Sequence, residues 1–174
     1  MAPEQRSEFA HALEASRLEF LAASNGVSDA QAKTSPGPGR WSVLECVEHV
    51  SLAEERFLGW LEQAELKEAS PADRHKEREL ATLVIDRTRR ANAPDAVRPT
   101  GRYENLAQAL DQFNAARRRT VQFAQERAAD LYSKSVEHPR FGKLNGAELI
   151  LIIAGHARRH AEQIREAKAA VLNP

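Results

Sequence analysis

The chain has 174 residues and a mass of 19.4 kDa, enough for one domain with a real core, because a chain near this size buries roughly 70% of the surface it exposes when unfolded. Hydrophobic residues make up 42% and charged residues 29%, which excludes a disordered chain, and no apolar run approaches the roughly 20 residues that cross a bilayer. Lys plus Arg equals Asp plus Glu at 25 each, so no global field draws in nucleic acid or an anionic membrane.

Ala, Leu, Glu, Arg and Gln dominate, and β-branched residues form no alternating runs, so the period to seek is 3.6. A first helix is expected from about Glu4 to Ala23, with Phe9, Leu13, Ser16 and Phe20 on one stripe and a left-handed stop near Asn25-Gly26. Its charges are scattered and it lacks the apolar centre of a secretory signal. SPGPGR at 35–40 then forbids helix.

WSVLEC at 41–46 opens a second helix: Ser42 caps, Glu45 closes a capping box, and Trp41 with Cys46 occupies the two staple positions. The stripe Cys46, His49, Ala53, Phe57, Trp60, Ala64 carries that helix to about Leu66. Between Lys67 and Arg102 the connection is too long to be structureless, and Leu80, Leu83, Val84 and Arg87 predict helix within about Ala72 to Arg90.

A third long helix is expected from about Tyr103 to Leu131, on the stripe Leu106, Leu110, Phe113, Val121, Ala124, Ala128 and Leu131, interrupted by Arg117. HPRFGK at 138–143 reads as a loop. The last helix begins with Asn145 as cap, Glu148 three residues on, and Leu144 with Leu149 as staple. Its stripe is Leu149, Ile153, His156, His160, Ile164, Ala167 and Val171. The chain therefore reads as all-α, one domain over residues 1–174: a four-helix bundle with a long, partly helical crossover between the second and third long helices.

GHARRH at 155–160 places His156 and His160 four apart on the buried stripe, stacked closely enough to bind one ion. Six histidines in 174 residues give on the order of 0.2 such pairs by chance, so spacing and stripe leave two readings open, a metal site or hydrogen-bonded core histidines. His49, on the inward stripe of another helix, is a candidate third ligand. Position 157 is Ala, so the zincin pattern H-E-x-x-H and its general base are absent.

GRWSVLECVEHV at 39–50 and HPRFGKLNGAELILIIAGHARRHAEQI at 138–164 resemble the DinB-like superfamily of metal-binding four-helix bundles, which takes in bacillithiol-transferase-like and metal-dependent-hydrolase-like proteins. The shared features are the Trp-Ser opening with a histidine seven residues past the Ser, and H-x-x-R-H followed by Gln-Ile. The resemblance is thin between Lys67 and Arg102. It implies a divalent transition metal, zinc or nickel, on His49, His156 and His160. Three imidazoles leave coordination positions open, the catalytic arrangement for zinc. It further implies a transferase or hydrolase acting on a small molecule, with water or a low-molecular-weight thiol activated, and a homodimer. The alternative it permits is a non-catalytic metal-binding or stress-response protein.

Other candidates each have a plainer reading. Glu45, one turn before His49, could orient it as an outer-shell carboxylate, although its capping role already accounts for it. Cys46 could be a fourth ligand but reads as a small apolar filler. His138 shapes a turn, and Glu48, His11 and His75 read as solvated. Asn114, Arg117 and Tyr103 could recognise a polar substrate, with Arg117 expected to snorkel outward. Phe57 and Trp60 read as core, although an aromatic near the mouth of the site could contact an apolar substrate. The single cysteine excludes an internal disulfide and fits a reducing cytoplasm.

Overall fold

The computed structural model describes residues 3–88 and 92–172. Helix α1 spans Pro3–Ser24, and its stripe Phe9, Leu13, Ser16, Phe20 is fully buried. Gly26, at φ 77°, lets the chain turn left-handed beyond its end. A short helix α2, Asp29–Lys33, follows, started by a Ser28–Gln31 capping box. Five residues carry too little period to be foreseen.

Helix α3, Val43–Gln63, begins at the expected Ser42–Glu45 box. It stops three residues before Leu66: Ala64 turns extended, and Leu66, 57% exposed, bridges to Lys134. The crossover holds helix α4, Arg74–Ile85, capped by Asp73, and a single 3₁₀ turn at Asp95–Val97. α4 is shorter at both ends than the periodicity suggested, and the expected end at Arg90 lies outside the described residues.

Helix α5, Leu106–Glu126, starts later than Tyr103 because the Asn105 side chain accepts from Gln108 N. A 3₁₀ turn at Ala128–Asp130 replaces its expected last turn. The segment read as a loop around HPRFGK is a hairpin, β1 Ser135–His138 against β2 Gly142–Asn145, with Val136 opposite Leu144. With four residues per strand, Val136 and Leu144 are the only apolar side chains the hairpin buries, His138 and Asn145 being polar, so no apolar alternation was visible. β2 runs directly into helix α6, Gly146–Leu172, through the Asn145–Glu148 box.

Each of α1 and α3 packs against both α5 and α6, giving the ring order α1, α6, α3, α5. α4 lies outside this bundle on α6. Contact there is close: a Cβ at Gly155 would stand 2.1 Å from Val84 Cγ1. Among the described residues, no helix is long and apolar enough to cross a membrane.

Arg117 does not snorkel. It is fully buried and grips Glu54 of α3 with two parallel bonds of 2.5 and 2.8 Å. Its third nitrogen donates to Ser16 Oγ at 2.7 Å and to the Leu13 carbonyl. The bidentate fork and two further acceptors satisfy a guanidinium that would otherwise be costly inside. This network ties α1, α3 and α5 together midway along the bundle, and it is structural, not a substrate contact.

Candidate metal centre

His49 projects from α3, and His156 and His160 from successive turns of the adjacent α6. Their ring centroids lie 4.5–5.1 Å apart, and one nitrogen from each ring falls within 4.8 Å of the others. No other group of this kind occurs among the described residues. His49 Nε2 and His156 Nε2 are 3.2 Å apart, close to the roughly 3.3 Å that separates two nitrogens on one tetrahedral ion at 2.0–2.1 Å.

The outer nitrogens are anchored. His49 Nδ1 bonds the Val97 carbonyl at 2.7 Å, and His160 Nδ1 bonds Gln163 Oε1 at 2.9 Å. Each such bond places the proton on Nδ1 and turns the Nε2 lone pair inward, which is how outer partners orient metal-ligating imidazoles. Trp41 packs its ring on His49 at 4.8 Å and on His160 at 6.3 Å. Phe57 meets His156 edge-on at 5.8 Å.

Burial holds all three imidazoles below their ordinary pKa, and His156 and His160 well below it, with repulsion among the rings and from Arg159 adding to the effect. Neutral imidazole is the ligating form. The donor set therefore fits a borderline-soft divalent ion: three neutral nitrogens, convergent, two of them pre-oriented by an outer bond, and ready without proton loss.

Glu48, expected to be solvated, is instead 1% exposed. One oxygen accepts from Thr100 N at 2.7 Å, and the other accepts from Gly101 N at 3.1 Å and Arg102 N at 3.2 Å. Three backbone donors satisfy a buried carboxylate. Together with His49, it pins the end of the crossover across α3. Neither contact had a sequence signal, because both partners are main-chain atoms. Gln163 did leave a trace, one turn after His160.

Glu45 accepts from Ser42 N at 2.7 Å and does not line the cavity. Cys46 is fully buried, its thiol pushed up to about 12, mainly by burial, and it stands outside the three-nitrogen group. His11 and His75 are exposed. Asn114 accepts from Arg17, and Tyr103 is half-buried against the core. His138 does shape a turn: its Nδ1 accepts from Arg140 N at 3.1 Å and Phe141 N at 3.3 Å. It also lines the same cavity as the triad, a space of about 1060 Å³.

Comparison with known proteins bears on the fold and the family. YuaE, an uncharacterized protein of Bacillus subtilis strain 168, is 25% identical over 154 residues, 87% of this chain and 92% of its own. Two solved structures share the fold. YfiT from Bacillus subtilis, a probable metal-dependent hydrolase with an unusual four-helix bundle topology, superposes with a TM-score of 0.64 at 15% identity, covering 97% of this chain and 89% of that one. The four-helix bundle protein TT2238 gives 0.55 at 22% identity, covering 90% and 95%. The sequence model of the DinB superfamily matches residues 12–164, and the chain belongs to that superfamily.

Proposed function

We propose that the protein is a divalent-metal-dependent enzyme in which His49, His156 and His160 hold zinc or nickel and a small-molecule electrophile is attacked by water or a low-molecular-weight thiol. The observation that carries this reading is the convergence of three neutral imidazoles, two of them anchored through their outer nitrogens, on one point beside a cavity. A bound ion would supply Lewis acidity, lowering the pKa of a nucleophile and polarising an electrophile. The chain's own residues do the rest. Val97 and Gln163 hold two rings in register, and Trp41 and Phe57 shield them from bulk water. Glu45 acts from one turn away by fixing the start of α3, and so the position of His49. The neutral ligands leave the ion's charge uncompensated for its reacting partners.

Metal analysis of the purified protein tests the first half: near one equivalent of zinc or nickel is expected, lost in His156→Ala and His160→Ala. Wild-type protein without bound metal would end the proposal. The second half is tested by offering the loaded protein a chlorinated nitrobenzene or monochlorobimane with several low-molecular-weight thiols, and separately simple esters and amides. Turnover that disappears with the metal is expected. Full metal with no turnover on any of these leaves a non-catalytic metal-binding protein.

A further inference from the structure

Among the described residues, six arginines line the cavity: Arg40, Arg56, Arg87, Arg98, Arg140 and Arg159, against a single carboxylate, Glu166. A chain with equal numbers of acidic and basic residues has gathered one sign of charge around its three histidines. Apolar walls focus such a field on whatever enters. Four of the six are engaged locally. Arg40 and Arg87 reach Glu166 at 3.9 and 2.5 Å, Arg98 reaches Asp95 at 3.1 Å, and Arg159 donates to the Asp86 carbonyl.

Arg56 and Arg140 differ. Each lies over an aromatic ring, Arg56 over Trp60 at 5.1 Å and Arg140 over Phe141 at 5.2 Å. Stacking on a ring face leaves the guanidinium's in-plane donors available for an anion. The two rings are joined through His138, 5.8 Å from Trp60 and 4.9 Å from Phe141, so the five side chains make one arc along the cavity wall. His138 adds a neutral donor to that arc: its Nδ1 is occupied by two backbone N–H groups, which places its proton on Nε2.

We propose that the cavity binds a small organic anion with an apolar body, its charged group taken by Arg56 or Arg140 at an end of this arc and its body laid along the aromatic wall of Phe57, Trp60 and Phe141. Resting on the reading of the triad as the reacting centre, this names the substrate class of that centre. Anion capture itself needs no metal, so the two readings fail separately.

Trp41 and Trp60 are the only tryptophans, and both line the cavity, so intrinsic fluorescence reports on it directly. Metal-stripped and metal-loaded protein are titrated with 4-nitrobenzoate, 4-nitrobenzamide and 4-nitrobenzylamine, three quenchers of one shape and different charge. Saturable quenching by the carboxylate is expected in both forms, at least about tenfold tighter than by the amide, the effect of one charge-assisted contact, with the amine weakest. Arg56→Gln/Arg140→Gln is expected to erase that preference while the thermal melt is unchanged. If carboxylate and amide bind alike, if the carboxylate does not saturate, or if the double variant keeps the preference, the proposal is wrong. Metal content of the same samples reports separately on the triad, and His156→Ala is expected to lose metal yet keep carboxylate selectivity.

Discussion

Gly155 precedes His156 and faces the crossover helix, so Gly155→Ala tests whether the α4–α6 contact is as tight as it looks. The new methyl would stand 2.1 Å from Val84 Cγ1, and reaching the 3.4 Å of ordinary contact requires a retreat of 1.3 Å. Val84 is 3% exposed and, being β-branched in a helix, has one strongly preferred rotamer, so α4 must move instead. Overpacking of this kind costs about 1–3 kcal/mol, against a gain of about 1 kcal/mol for replacing glycine inside a helix. The net is a loss of up to about 2 kcal/mol, and with Val84 lining the cavity, weaker metal retention. Val84→Ala alone costs about 2 kcal/mol through the void it leaves. The double variant places one methyl where the other was removed, so the pair is expected to be more stable than the sum of its parts by about 1–3 kcal/mol. Urea unfolding of the four proteins measures the cycle. A stabilised Gly155→Ala, or additive effects, would refute the packing argument.

Two further outcomes follow from buried charge. Arg117→Met strands the Glu54 carboxylate in the bundle and is expected to cost about 3–5 kcal/mol in urea unfolding, most of it recovered in Glu54→Leu/Arg117→Met; a single variant within about 1 kcal/mol of wild type would deny the network its role. His138 is held near about 4, chiefly by burial and then by Arg140, whereas an unfolded imidazole protonates near 6.5. Between those values the unfolded chain binds the extra proton, so this contribution is intact above about pH 6.5 and fades as pH falls toward 4. His138→Gln should show a shallower loss of stability than wild type across that window; identical slopes in metal-free protein would contradict it.

What could be read from the sequence was what local chemistry decides. Ser42 with Glu45, and Asn145 with Glu148, announce helix starts because a cap is made within four residues, and the inward turn of His49, His156 and His160 follows from stripes on single helices. Arg117 was visible as an interruption and misjudged, since its partner Glu54 lies 63 residues away and nothing local says that a fork awaits it. Glu48 was misjudged for the same reason. The hairpin escaped because one inward pair, Val136 with Leu144, is not a period. The arginine arc escaped as well: its members are scattered from Arg56 to Arg140 and meet only after α3 and the β1–β2 turn are brought together.

The crossover is fastened to α3 beside the histidine cluster by its main chain: the carbonyl of Val97 to His49, and the N–H groups of Thr100, Gly101 and Arg102 to Glu48. A grip on peptide groups is indifferent to most side chains they carry, Gly101 at φ 78° and the need for an N–H at 100–102 being the exceptions. The segment can therefore change its sequence, and with it one wall of the cavity, while the imidazole it steadies stays in place. Such an attachment separates what may vary from what must not: the lining of the cavity on one side, the histidine cluster on the other.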